Sequence, residues 1–238
     1  MNILAIGAHP DDIEMQCAGT LALYAQAGHQ VWMAIATNGN VGSPTHTSAE
    51  IGAIRKKEQE ESCALIGAKL IWMDFDDEWL FNDRPTRTRF IDAIREAEPD
   101  VMFVHGPTDY HPDHRVAGQV AEDSRIPASV RLVETALPYT KKIPHMFYMD
   151  NPTGLGFEPE AYVDISSVID TKREMLRRHV SQDAWIRAIY DDASITDMMD
   201  KNAAIRGAAA GYGFAEGFRE VKTYPRTGSF KLLPGFGE

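Results

Sequence analysis

Cysteine is scarce in this sequence, with only Cys17 and Cys63 among 238 residues. Both fall in segments whose apolar spacing predicts helices. A disulfide framework or a cysteine-rich structural metal site needs several paired cysteines. We therefore interpret both residues as buried thiols in a reducing compartment rather than as a disulfide or a metal site.

Long apolar runs and an excess of basic residues are also missing. No apolar run reaches the roughly 18 residues of a transmembrane helix, and no secretory signal precedes the first predicted strand. The 24 Lys and Arg residues against 35 Asp and Glu residues give a formal net charge of −11. Proteins that bind nucleic acids or anionic membranes neutralise phosphates with Lys and Arg. We expect a soluble cytoplasmic protein with no membrane span and no nucleic-acid partner.

Short apolar runs alternate with longer segments that have apolar residues at helical spacing. The strands are predicted at residues 3–6, 31–36, 70–73, 101–104, 143–149 and 162–165. The helices are predicted at residues 13–27, 48–66, 90–97 and 195–210, and in two segments that end at residues 123 and 179. Ser166 or Ser167 is the predicted N-cap of the helix that ends at residue 179, and the last twenty residues are expected to be irregular.

The sequence shows no internal repeat of about 20–50 residues and no low-complexity tract. Its length suits one domain with one core, so we predict a single domain over residues 1–238. Strands that alternate with helices in this way predict an α/β fold. The expected architecture is a three-layer α/β/α sandwich around a mostly parallel, doubly wound sheet.

The first apolar run ends in the turn Ala8-His9-Pro10-Asp11-Asp12. Pro10 disfavours a helical conformation for His9 and suits the first position of a helix, which places Asp11 and Asp12 in the first helical turn. Helix capping accounts for one acid there, but not for the second acid or the histidine. A His-x-x-Asp pair at the carboxyl end of a strand is also half of a metal site.

A second turn of this kind, His111-Pro112-Asp113-His114, follows the fourth apolar run. The carboxyl ends of parallel strands share one edge of the sheet, so both turns, and the acids after the third strand, are expected to meet there. His and carboxylate ligands with one open position are typical of a catalytic metal site. Spacing leaves open which histidine of the second turn is a ligand, and Asp113 is a candidate to orient a histidine ring.

These two turns, residues 8–14 with 19–22 and residues 105–114, closely resemble the LmbE/PIG-L family of zinc-dependent N-acetylglucosamine deacetylases. Weaker similarity continues to about residue 185, and residues 215–218 are a poorly specific match. The resemblance implies a Rossmann-like fold and a zinc site, with Fe²⁺ as a realistic substitute for Zn²⁺. The implied metal ligands are His9, Asp12 and His114, and the implied catalytic residues are Asp11 as general base, His111 as electrophilic or acid partner, and Asp113.

The resemblance also implies the reaction, which is removal of an N-acetyl group from an N-acetylglucosamine-containing molecule by zinc-activated water. Candidate substrate-binding residues are Arg55, Asp109, Tyr110 and Asn40. Tyr110 has an alternative role in packing, and Arg55 has alternative partners in Glu58 and Glu14. Asn40 stands where many relatives carry an acid, and this difference concerns the substrate more than the chemistry.

Two further interpretations remain open at the level of the sequence. The first is an amidase that cleaves a bulkier acyl group or a thiol conjugate, and the second is a metal-binding Rossmann-like protein without activity. A nucleotide-binding module is disfavoured because the first turn lacks the G-x-G-x-x-G pattern and carries two acids. The resemblance implies a homo-oligomer, a trimer or a hexamer, and the loop at residues 151–159 is a candidate lid or subunit contact.

Overall fold

The parallel arrangement of five strands places both His-Pro-Asp turns at one edge of the sheet. The structure, a computed structural model, describes residues 1–189, 194–226 and 228–237. The strands of these residues are β1 (Asn2–Gly7), β2 (Gln30–Thr37), β3 (Lys69–Phe75), β4 (Val101–His105), β5 (His145–Met149), β6 (Ala161–Asp164) and β7 (Ala215–Glu220). They form one sheet in the order β3-β2-β1-β4-β5-β7-β6. β1 to β5 are parallel, whereas β7 runs antiparallel to β5 and β6, which confirms a mostly parallel sheet.

Helices cover both faces of the sheet. Those described are α1 (Asp12–Gln16), α2 (Ala18–Gln26), α3 (Ser48–Leu65), α4 (Arg84–Ala97), α5 (Pro112–Arg125), α6 (Ile169–Arg177), α7 (Val180–Ile189) and α8 (Ile195–Ala210). Ile3 and Ala5 of β1 belong to one hydrophobic cluster with α2, α6 and α8, and Leu4 and Ile6 belong to another with α4 and α5. β1 is therefore buried on both faces, and the three-layer α/β/α sandwich is confirmed.

The predicted helix over residues 13–27 is wrong in two respects. It is divided into α1 and α2 at Cys17, whose φ of −137° and ψ of 9° are not helical. The helix also begins at Asp12, with Asp11 at the N-cap, so Pro10 lies outside it. The carboxylate of Glu216 accepts hydrogen bonds from the backbone of Gly19 and Thr20 at the start of α2. A distant residue thus stabilises the second helix start, which local spacing does not reveal.

Other differences also follow from capping and from long-range pairing. α4 begins six residues before the predicted start because Asp83 accepts a hydrogen bond from Thr86 N. The predicted serine N-cap is wrong, since α6 begins after Val168 and Ser166 Oγ instead donates to Asp164 and accepts from Phe214 N. Helix α7 was not predicted, and part of β7 falls in the last twenty residues, of which residues 227 and 238 lie outside the described residues.

The strand order reverses between β1 and β4, which are neighbours paired in register from Ile3 with Val101. In open α/β sheets the crevice outside the carboxyl ends at such a reversal is the usual ligand site. The loops at residues 8–11 and 106–111 leave β1 and β4 at this point, and the loops after β2 and β3 lie beside them.

Among the described helices, none combines the length and the apolar character needed to cross a membrane.

Candidate active site

The turn after β1 holds Asp11 in a conformation that is uncommon for an aspartate. Asp11 has a φ of 105°, and although it occupies the N-cap of α1 its side chain makes no capping hydrogen bond. Asp12 instead uses Oδ2 to accept a hydrogen bond of 2.7 Å from His9 N. Left-handed backbone at a non-glycine residue is costly and is often found at functional sites. Helix capping therefore does not explain why a carboxylate stands at position 11.

Three side chains from the two turns converge on one point. His9 Nδ1 lies 3.1 Å from His114 Nε2, and His114 Nε2 lies 3.1 Å from Asp12 Oδ1. His9 Nδ1 is also 3.5 Å from Asp12 Oδ2. All three side chains are buried. The structure therefore brings together the three residues that were predicted as metal ligands.

The outer nitrogens of the two histidines face carboxylates. His9 Nε2 lies 3.1 Å from Asp77 Oδ1 and 3.4 Å from Asp113 Oδ2. His114 Nδ1 lies 3.0 Å from Asp109 Oδ1. Since an ionised carboxylate can only accept, each neutral ring is favoured to carry its proton on the outer nitrogen. The two inner nitrogens then direct lone pairs at each other beside the Asp12 carboxylate, and this donor set fits a divalent metal ion.

His105, at the end of β4, is a further histidine in this cluster. Its Nε2 accepts a hydrogen bond from Ala8 N at 3.1 Å and lies 3.1 Å from Asp12 Oδ2. Besides His9, Asp12 and His114, three overlapping groups of described residues have donor atoms close enough to share one ion: His9, His111 and His114; Asp12, His105 and His114; and His9, Asp77 and Asp113. His105 was not among the predicted ligands, although it is the first residue of the motif at residues 105–114 that resembles the family.

Burial and charge shift the pKa of the residues in this site. Burial raises the pKa of Asp11 to about 6, against the opposing effect of Arg55. Burial disfavours the ionised form of Asp12, but the charges of His114 and His105 hold its pKa well below the ordinary range. Burial also disfavours protonation of His114, yet Asp12 and Asp109 raise its pKa to about 9. Any metal ion that binds here must displace protons from the histidines.

His111 lies beside the converging donors, at the N-cap of α5. Its ring centroid is 4.6 Å from that of His9. Its Nδ1 accepts a hydrogen bond of 3.2 Å from Asp113 N, so the neutral ring carries its proton on Nε2. Burial and the neighbouring His9 and His114 lower the pKa of His111, which favours this neutral form. The Nε2 proton faces Glu78 Oε1 at 3.3 Å.

Of the four predicted substrate-binding residues, two are buried and two are more accessible to solvent. Asp109 and Arg55 are buried behind the turns: Asp109 contacts His114, and Arg55 donates to Pro10 O at 2.9 Å and lies 3.9 Å from Asp11 Oδ1. Tyr110 is 61% exposed, with its ring centroid 5.5 Å from that of His114. Asn40 donates to Asp76 Oδ1 at 2.8 Å. Contact of these four residues with a substrate stays a prediction.

The alternative partners of Arg55 are engaged elsewhere. Glu58 accepts hydrogen bonds from Ser181 N and Oγ. Glu14 accepts from Gln59 and Ser62 and lies 3.4 Å from His179 Nε2. Arg55 therefore faces Asp11 and the turn after β1 rather than Glu58 or Glu14.

Comparison with known proteins adds the family to this geometry. The family profile of PIG-L, described as GlcNAc-PI de-N-acetylase, matches residues 4–124, just over half of the chain. The chain belongs to the PIG-L family. This membership agrees with the resemblance of the two His-Pro-Asp turns, both of which lie within the matched residues.

Individual relatives of this PIG-L family member differ in their reactions. Diacetylchitobiose deacetylase from Thermococcus kodakarensis is 27% identical over 234 residues, which cover 92% of this chain and 82% of the relative. The structure of N,N′-diacetylchitobiose deacetylase from Pyrococcus horikoshii matches with a TM-score of 0.79 and 27% identity, over 92% of this chain and 83% of that one. A 4-oxalmesaconate hydratase from Pseudomonas putida is 25% identical over 71% of this chain and 69% of its own length. Family membership alone therefore leaves the reaction open.

The carboxylate behind His114 offers a test of this PIG-L family site. Asp109→Asn is expected to weaken metal binding about 10- to 100-fold, because a neutral amide does not raise the basicity of the inner nitrogen of His114 as the carboxylate does. A competitive titration against a chelating dye measures the affinity. Asp123→Asn is the matched control, because Asp123 lies on α5, the helix that carries His114, but pairs with Arg87 away from the site. Equal metal affinity in the Asp109 variant and the wild-type protein would contradict this role.

Proposed function

We propose that this protein is a metal-dependent hydrolase that removes the N-acetyl group from an N-acetylglucosamine-containing small molecule or glycoconjugate. The Asp11 carboxylate carries the proposal. It is buried beside the three proposed metal ligands, and no hydrogen bond from the described residues satisfies it. A hydrolase needs a base at this position, and the two deacetylases among the relatives support the same reaction.

His9 through Nδ1, Asp12, and His114 through Nε2 would hold the metal ion, for which we propose Zn²⁺ with Fe²⁺ as the alternative. When bound, such a metal ion polarises a carbonyl group and lowers the pKa of water from about 15.7 toward 7. Asp77 and Asp113 lie 3.1 and 3.4 Å from His9 Nε2 and would orient its ring, and Asp109 would orient that of His114. The chain thus supplies both the ligands and the groups that orient them.

Asp11 is suited to take a proton from water. Its pKa of about 6 makes it a stronger base than an ordinary aspartate, yet leaves it largely ionised at neutral pH. His111 presents its Nε2 proton beside the ligands and can donate a hydrogen bond to a carbonyl oxygen as negative charge develops there. The loss of one such donor typically lowers turnover by about 10²- to 10³-fold.

The charge of the site favours this reaction over hydration of an anionic substrate. Five aspartates form or support the site: Asp11, Asp12, Asp77, Asp109 and Asp113. The nearby cation Arg55 directs its guanidinium at Pro10 O and Gly39 O. A carboxylate-bearing substrate, such as that of the hydratase relative, would be repelled by this charge, whereas a neutral amino sugar would not.

The test begins with the metal content of the purified protein. We expect about one metal ion per chain and acetate release from N-acetylglucosamine or N,N′-diacetylchitobiose, which a chelator abolishes and zinc restores. Analogues with longer N-acyl groups separate a deacetylase from an amidase for bulkier conjugates. Hydration of 4-oxalmesaconate without acetate release from either sugar would overturn the proposal in favour of a hydratase. Metal binding without turnover of any of these compounds would favour the non-catalytic alternative.

A further inference from the structure

Glu78 is a carboxylate at the site that the proposed chemistry does not use. It lies in the loop between β3 and α4 and has a φ of 68°, a left-handed conformation that is rare for glutamate. Its backbone N–H donates to Asp113 Oδ2 at 2.8 Å, so the loop is attached to the site itself. Its side chain is 51% exposed. Glu78 therefore stands between the buried site and solvent.

The side chain of Glu78 occupies the position that a substrate needs. Glu78 Oε1 lies 3.3 Å from His111 Nε2, the nitrogen that carries the proton of the neutral ring. A carbonyl oxygen that accepts this proton must displace the carboxylate. The displaced carboxylate stays attached to the same loop and therefore remains next to the bound substrate.

Among the ion pairs of the described residues, Glu78 contacts His111 and has no Lys or Arg partner. Asp76, two residues earlier, is exposed and accepts a hydrogen bond from the neutral amide of Asn40. The Arg55 guanidinium points away, toward Pro10 O and Gly39 O. Two like charges a few ångströms apart in a partly desolvated cleft repel by enough to change binding about tenfold.

We propose that Glu78 determines specificity by excluding substrates that carry an anionic group and by favouring neutral or amine-bearing ones. The proposal rests on the proposed deacetylase function and narrows its substrate class. It assigns to Glu78 no part in the chemical step. The expected substrates are N-acetylglucosamine compounds whose attached group has no phosphate or carboxylate.

The test compares two substrates that differ by one phosphate, N-acetylglucosamine and N-acetylglucosamine 6-phosphate. Glu78→Gln should raise the ratio of kcat/KM for the phosphorylated sugar to that for the neutral sugar by about tenfold. Glu78→Gly should do the same without the strained backbone. Raising NaCl from about 0.05 to about 0.5 M should increase this ratio several-fold in the wild-type protein and by a smaller factor in both variants, because salt screens the repulsion that Glu78 adds.

Glu98 provides a matched control. It is also exposed and left-handed, with a φ of 42°, but it ends α4 at the opposite edge of the sheet, where Asn2 donates to its carbonyl. Both Glu98→Gln and Glu98→Gly remove the charge, and Glu98→Gly also removes the strained backbone. The ratio of kcat/KM for the two sugars should stay at the wild-type value in both variants. The proposal would be overturned if kcat/KM changed equally for both sugars in the Glu78 variants. It would also be overturned if the Glu98 variants changed the ratio of kcat/KM as much as the Glu78 variants do.

A binding measurement separates this proposal from the proposed function. Calorimetry with glucosamine and glucosamine 6-phosphate needs no turnover. If neither N-acetyl sugar released acetate, the proposed deacetylase function would be refuted. A tenfold gain in the affinity of Glu78→Gln for glucosamine 6-phosphate relative to glucosamine would still support the exclusion of anionic substrates by Glu78. An unchanged ratio of the two affinities would refute this role of Glu78 even if the protein is an active deacetylase.

Discussion

Asp11→Asn is expected to lower turnover by about 10²- to 10⁴-fold while the protein keeps its metal ion. Asparagine has the same shape as aspartate and tolerates the left-handed backbone at this position, but its amide cannot take a proton from water. The proposed ligands His9, Asp12 and His114 are unchanged in this variant. Acetate release under saturating substrate measures turnover, and elemental analysis of the purified protein measures the metal content.

Two further variants show whether the effect belongs to Asp11 alone. Asp12→Asn removes a proposed ligand and should lower metal content as well as turnover. Asp74→Asn changes another left-handed aspartate, with a φ of 65°, that lies outside the proposed machinery, and should change neither. Near-normal turnover in Asp11→Asn with full metal content would sink the base assignment. Loss of the metal ion from that variant would make Asp11 a ligand instead.

The meeting of the two His-Pro-Asp turns could be predicted because it depends on strand direction. A run of apolar residues without polar alternation indicates a strand buried in a parallel sheet, and parallel strands end at one edge. That reasoning places the turns at one edge of the sheet. It does not make β1 and β4 neighbours, because strand order is set by the packing of all the helices against the sheet.

The carboxylates behind the histidines could not be assigned in this way. The acids after β3 were expected at the rim, but only Asp77 is buried and reaches His9, while Asp76 faces Asn40. A shift of one residue in a loop changes the direction of the side chain, and loops have no period that predicts it. The contact of Asp109 with His114 was not predicted either, and its predicted contact with a substrate stays a prediction.

The break between α1 and α2 shows a different limit of sequence reasoning. The apolar spacing at residues 13–27 is continuous and indicates one helix. The break is stabilised by Glu216, nearly 200 positions away, in a strand that the sequence pattern did not predict. The strand was missed because AEGFRE combines charged residues with a glycine, although all but one of its residues are buried.

Glu216→Ala should therefore lower the free energy of unfolding by about 3–5 kcal/mol, the usual cost of leaving one member of a buried ion pair alone. Both Glu216 and Lys172 have side chains that are 2% exposed, and Lys172 Nζ donates to Glu216 Oε1. The variant also removes the acceptor for Gly19 N at 2.8 Å and Thr20 N at 2.7 Å. Urea unfolding followed by circular dichroism measures the change.

An exposed pair provides the comparison for this prediction. Glu160→Gln removes a carboxylate that pairs with Lys222, whose side chain is 58% exposed, and should change stability by less than about 1 kcal/mol. Combining Glu216→Ala with Lys172→Met should recover part of the loss, since no buried charge is then left without a partner. A loss in Glu216→Ala as small as in Glu160→Gln would show that solvent reaches Lys172. The start of α2, and with it the turn that carries Asp11, would then depend on other contacts.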